Sequence, residues 1–105
     1  MRVESVLHLE TFVLNLPDPS SRCYLRIGID VGVSRMPEGK GESSAPAVPM
    51  VRDTILTALS TANADELMTT EGKLKLKEAL VRALQQRVPE LGVQEVYFTE
   101  LLIQR

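Results

Sequence analysis

Between Cys23 and Val33 every odd position is apolar (Cys23, Leu25, Ile27, Ile29, Val31 and Val33), while the even positions are Tyr24, Arg26, Gly28, Asp30 and Gly32. Strict period two over eleven residues is the pattern of a strand with one dry face and one wet face. A helix would scatter the same six side chains around its circumference. The dry face needs a cover, so helices elsewhere must supply one. A chain of 105 residues has room for a single modest core, and the expectation is one domain spanning positions 1–105.

Upstream, Val6 to Leu16 (VLHLETFVLNL) reads as a first strand. Taken as one unbroken strand, it places Val6, Phe12, Leu14 and Leu16 on one face and Leu7, Leu9 and Val13 on the other. Pro17-Asp18-Pro19-Ser20-Ser21 then fixes two φ angles and predicts a turn, so that the two strands form an antiparallel hairpin. Ser34 to Pro49 contains Gly39, Gly41 and three prolines, has neither periodicity, and reads as a surface loop leading to a helix that tolerates proline in its first turn. Met50 to Ser60 is an amphipathic helix carrying Val51, Ile55 and Leu59 on one side. Asn63 with Glu66 three residues later suggests a capping box for a very short helix.

The longest helix, Glu71 to Val88, is capped by Thr69 or Thr70 and puts Leu74, Leu76, Leu80, Val81, Ala83, Leu84 and Val88 within about half its circumference. Gly72 is out of character so early in a good helix former and hints at close packing against a neighbour. Along the helix, Glu78 and Arg82 are spaced for an ion pair. Pro89 to Gly92 ends it. The last strand, Val93 to Ile103, has apolar residues on both faces, with Val96, Phe98 and Leu102 on one and Val93, Tyr97, Leu101 and Ile103 on the other. It reads as a central strand or as an edge flanked by another chain. The fold class is therefore α/β: a two-layer mixed domain in which helices cover a sheet of three strands, or four.

Twelve basic and fourteen acidic residues give a net charge of −2, with no basic stripe and few aromatics for base stacking, which argues against nucleic acid as a partner. The single Cys23 sits in the dry register and reads as a small buried hydrophobe. His8 is the sole histidine, near Glu10 along the first strand, and no Cys-x-x-Cys or second histidine completes a zinc site. The carboxylates are dispersed over different elements, and Asp30 is spaced to pair with Arg26. The glycines of the loop lack the Lys-Ser or Lys-Thr of a phosphate loop. No catalytic residue, cofactor site or metal site is predicted. No run of about 18 apolar residues is present, nor is a signal peptide. The apolar surplus on the outer strands (Leu7, Leu9, Val13, Tyr97 and Leu101) and the wet-face residues Tyr24, Arg26 and Asp30 are the candidate contact residues.

Several blocks in order carry a resemblance: Phe12 to Leu16 followed by a short turn and Arg22-Cys23-Tyr24-Leu25-Arg26; Val51 to Leu56 with Leu59-Ser60; Ala64-Asp65-Glu66-Leu67; Glu71-Gly72-Lys73; and Val96 to Glu100 through Gln104. From about Leu9 to Gln104 the chain resembles the periplasmic domain of the FliL family of flagellar basal-body proteins. The resemblance implies a fold similar to the stomatin, prohibitin and flotillin domain and a non-enzymatic role. It also implies an inner-membrane anchor helix upstream, absent from this sequence, and a place on the periplasmic side of that membrane at the flagellar basal body. Its implied partners are copies of itself, in a ring or arc, and the MotA/MotB stator. The other reading is a stomatin-like membrane scaffold unrelated to motility; an intracellular small-molecule enzyme would require a pocket with convergent polar groups.

The two-faced strand gives a first test. Replacing Ile27 or Ile29 by aspartate should unfold the chain by burying an unpaired charge, while changing Arg26 or Asp30 should leave thermal unfolding nearly unchanged. Equal loss of thermal stability in the two classes would refute it.

Overall fold

The computed structural model describes residues 5–16, 22–34 and 47–104. The predicted turn at Pro17–Ser21 and most of the Gly/Pro-rich loop lie outside the described residues. The elements in order are β1 (Ser5–His8), β2 (Phe12–Leu16), β3 (Cys23–Val33), α1 (Ala47–Leu59), α2 (Ala64–Leu67), α3 (Thr70–Arg87), a 3-10 turn (Pro89–Leu91) and β4 (Val93–Gln104). The strands form one four-stranded antiparallel sheet. Central strand β3 pairs with β4 along one side and with β2 and then β1 along the other.

All six odd residues of β3 are buried, including Cys23. α3 packs on α1 and on β4, and Val51, Ile55, Leu59, Leu80, Leu84 and Val88 join the dry face of the sheet in one hydrophobic core. This is the expected two-layer arrangement. Leu74, expected inward, is 53% exposed instead, because the helical stripe centred on Leu80 and Leu84 turns position 74 out of the contact zone.

The first strand is divided. Ser5 to His8 pair with Val33 to Asp30, and Phe12 to Leu16 pair with Ile27 to Cys23, so Leu9, Glu10 and Thr11 oppose only Gly28 and Ile29. One extra residue reverses which parity points inward. Leu7 and Leu9 are therefore buried beside Phe12 and Leu16, and Val6 is turned out at 48% exposure. This corrects the face assignment made from an unbroken strand. Arg52 of α1 secures the interruption: its Nη1 donates to the Glu10 carbonyl at 3.0 Å, and its guanidinium carbon lies 4.2 Å from the centre of the Phe12 ring. A carbonyl released from the ladder thus has a charged donor, and the cation lies over a buried aromatic face.

β4 is an edge strand with register shifts between Gly28/Ile29 and Gly32/Val33 of its partner. Thr99 and Gln94 are the inserted residues, and they bring Val93, Val96, Phe98, Leu101 and Ile103 to the core side. The sequence-based split of the last strand is corrected by the same parity argument: Leu101 and Ile103 pack on the core with Phe98, and Leu102 faces out.

Caps define the helices. The Thr69 hydroxyl accepts from Gly72 N at 2.9 Å, and the Asn63 side chain accepts from Glu66 N at 3.1 Å, each satisfying an amide that the first turn leaves unpaired. At Gly72 a Cβ would collide with the Glu66 carbonyl, which explains the glycine. The ion pair along α3 joins Glu71 and Lys75 at 3.7 Å.

Two outcomes follow for stability. Leu7→Ala should lower the unfolding free energy by about 2–5 kcal/mol and Val6→Ala by no more than about 0.5 kcal/mol; denaturant titration checks the order, and its reversal would contradict the inserted residue. Gly72→Ala should lower the melting temperature, although helix propensity alone favours alanine by about 1 kcal/mol.

Candidate interaction face

The helices occupy one side of the sheet, and the even residues of β3 look out from the other. Register builds this open face in rows. From one end, Val6, Gly32 and Glu95 lie side by side, then His8, Asp30 and Tyr97. At the other end are Val13, Arg26 and Leu102, then Asn15, Tyr24 and Gln104. Two apolar patches result, one holding Val6 and Tyr97 and the other Val13, Tyr24 and Leu102. In the second patch Val13 is 58% exposed, Tyr24 50% and Leu102 48%, and the three line an open depression with Arg26 and Gln104. A cluster of exposed large apolar residues on one sheet face marks a candidate contact surface.

A polar waist separates the patches at the level of Gly28, where both neighbouring strands carry an inserted residue. A Cβ on Gly28 would run into the Thr99 hydroxyl and crowd the Glu100 side chain at 3.2 Å, so glycine lets the carboxylate lie across the sheet. There one oxygen, Glu100 Oε1, accepts from the Thr11 hydroxyl at 3.1 Å and meets Arg26 Nε at 3.5 Å. Glu100 thereby ties β4 to β3 and to the β1–β2 junction. Beside it His8 Nδ1 and Asp30 Oδ1 are 2.7 Å apart. Asp30 pairs with His8 directly opposite it and Arg26 with Glu100 diagonally across the ladder, which corrects the Asp30–Arg26 pairing read from the sequence: positions four apart along one strand are about 13 Å apart at ~3.3 Å per residue, beyond the reach of an ion pair that cross-strand neighbours make easily.

Of the candidate contact residues, the fold brings Val13, Tyr24, Arg26, Asp30 and Tyr97 onto this face. Leu7 and Leu9 are buried in the core, and Leu101 is partly buried against it from the same side, so none of these three belongs to the open face. The reading from sequence misses Val6, Thr11, Glu100 and Leu102. The signal for Val6 was the change from odd to even apolar positions between Leu9 and Phe12. Nothing local marks Glu100, since its partners come from two other elements.

Among the described residues no group of three or more His, Cys, Asp and Glu side chains could hold a metal ion, and no helix is long and apolar enough to cross a membrane. No buried side-chain polar atom among them lacks a hydrogen-bond partner. The open face presents apolar patches, the Arg26–Glu100 ion pair, the His8–Asp30 contact and the Thr11 hydroxyl.

Residues 6–104 match the family described as flagellar basal body-associated protein FliL. The chain is similar to the flagellar protein FliL of Aquifex aeolicus (strain VF5), with 33% identity over 93 residues that cover 89% of this chain and 56% of the relative. The chain thus spans little more than half the length of that curated relative. A match along nearly all of the sheet and helices described above makes the chain a member of the FliL family of flagellar basal body-associated proteins.

Proposed function

We propose that this domain is a non-catalytic accessory module of the flagellar motor. Its copies self-associate into a ring or arc around the MotA/MotB stator and support motility. The domain works on the periplasmic side of the inner membrane, with an N-terminal helix as the anchor. The observation that carries the reading is the open sheet face on a chain of a flagellar basal body-associated family: one side of a two-layer fold is left with Val6, Val13, Tyr24, Tyr97 and Leu102 exposed. Burying such a patch in a partner releases water from apolar surface at about 25 cal/mol per Å². Anchoring copies in one membrane raises their effective concentration, so a weak face suffices for assembly.

The test uses the full-length protein in its own cells, scoring swimming and in-cell crosslinking together. Val13→Asp and Leu102→Asp, each on an exposed position, should leave the melting temperature of the domain within a few degrees of the parent, abolish crosslinked oligomers and reduce swimming toward the level of a deletion strain. Normal swimming and an unchanged oligomer ladder in both variants would remove the open face from the function; a deletion strain that swims normally would overturn the motor role.

A further inference from the structure

β1 and β2 lie along the same side of β3, one after the other, and the structure holds them to different degrees. β2 buries Phe12 and Leu16 and has the Arg52 guanidinium of α1 over its Phe12 ring. β1 is four residues long, and of its side chains only Leu7 is buried. Its ladder runs from Ser5↔Val33 to His8↔Asp30, and its side-chain tie to the sheet is the 2.7 Å contact between His8 Nδ1 and Asp30 Oδ1, in which the histidine side chain is 78% exposed. A short edge strand with one buried apolar side chain sits at the low end of local stability. Its departure would leave β3 paired over the same residues, since Asp30 to Val33 also oppose Tyr97 to Val93 of β4.

Between the two strands the chain is gripped from both sides of the sheet. Leu9 is buried, the Glu10 carbonyl accepts from Arg52 Nη1 on the helical side, and the Thr11 hydroxyl donates to Glu100 Oε1 on the open side. The two polar grips come from α1 and β4, so neither depends on the β1 ladder. A strand opening from Ser5 meets a stop at Leu9–Thr11.

We infer that β1 is a releasable strap, which undocks from β3 as a unit ending at His8 while the junction and β2 stay in place, and that its docking switches one half of the open face. Val6 and His8 belong to that face only while β1 is paired. When the strap leaves, the patch of Val6 and Tyr97 loses Val6, Asp30 loses His8, and the Asp30–Val33 edge of β3 is uncovered. The half built from Val13, Tyr24 and Leu102 lies on β2, β3 and β4 and stays as it is. The face thus has a fixed half and a switchable half, divided at the polar waist. Whatever precedes Ser5 enters the sheet through β1. With the N-terminal anchor and the contact role proposed above, on which this coupling rests, the strand next to the anchor controls part of the contact surface. An element with two states, biased from one side, is what a conformational switch requires.

Hydrogen exchange on the full-length protein in detergent tests the strap without reference to assembly. The slowest amides of Ser5–His8 should exchange at least about a hundredfold faster than the slowest of Phe12–Leu16; equal rates in the two strands would overturn the inference. Arg52→Gln with Thr11→Val removes both polar grips and should narrow that gap about tenfold or more, with the amides of Leu80 and Leu84 in α3 unchanged. An unchanged gap, or equal acceleration in α3, would overturn the stop at the junction. The coupling to the face is read in the native membrane with an amine crosslinker and reducing gels. Leu7→Ala should release the strap, leave α3 protected and lose most of the crosslinked oligomer. Adding His8→Cys and Asp30→Cys to it places thiols on directly opposed residues, within the span of a disulfide, and native Cys23 is buried. Oxidation with diamide should then restore both the protection of Ser5–His8 and the oligomer, and reduction should remove both. Restored protection without restored oligomer would overturn the switch. Absence of oligomer in the unsubstituted protein would instead defeat self-association itself, and the exchange comparison would still decide the strap.

Discussion

The one-residue insertion at Leu9–Thr11 is the constraint on which the rest of the structure depends. β3 is a strict period-two strand, and everything laid against it must present apolar side chains on the same side. β1 and β2 can both do so only because the chain adds a residue between them, so that Leu7 and Leu9 fall inward along with Phe12 and Leu16. An interruption of this kind frees backbone groups, and a free carbonyl near a core is costly unless something donates to it. Arg52 answers that need at Glu10 while lying over Phe12. The helical layer is thus keyed to the sheet at the position where the sheet is irregular.

The same level of the sheet organises the exposed side. β4 carries its own inserted residue, Thr99, opposite the Gly28–Ile29 step, and Gly28 leaves room for Glu100 to reach across to Thr11 and Arg26. Surface ion pairs contribute at most about 1 kcal/mol each, so this network matters less for stability than for shape. It holds a polar waist between two apolar patches and fixes where a partner can and cannot make apolar contact. A face that alternates apolar and charged ground also limits partners to those with a matching distribution of charge.

Family membership and architecture support each other without duplicating the same information. Residues 6–104 match as one stretch, and that stretch runs from β1 through the end of β4, so the similarity covers the core-forming elements and the open face together. The relative extends well beyond the matched portion.

The sequence alone determined the dry face of β3, the positions of all three helices to within three residues, the caps at Asn63 and Thr69, the close approach at Gly72, the burial of Cys23 and the two-layer class. Each of these depends on a periodicity or on contacts within a few residues, and such patterns survive in a linear string. What tertiary structure alone decided was parity and partnership. Leu7 and Leu9 read as outward because period two was carried through Glu10 and Thr11, and Leu101 and Leu102 exchanged faces because of Thr99; an inserted residue leaves no mark of its own and is recognised only when the opposing strand is in place. Asp30 met His8 rather than Arg26, and Glu100 gained partners 89 and 74 positions away, since a side chain's nearest neighbours in a sheet lie across the ladder. The open face became a surface only when helices from one part of the chain covered one side of the sheet and none among the described residues covered the other.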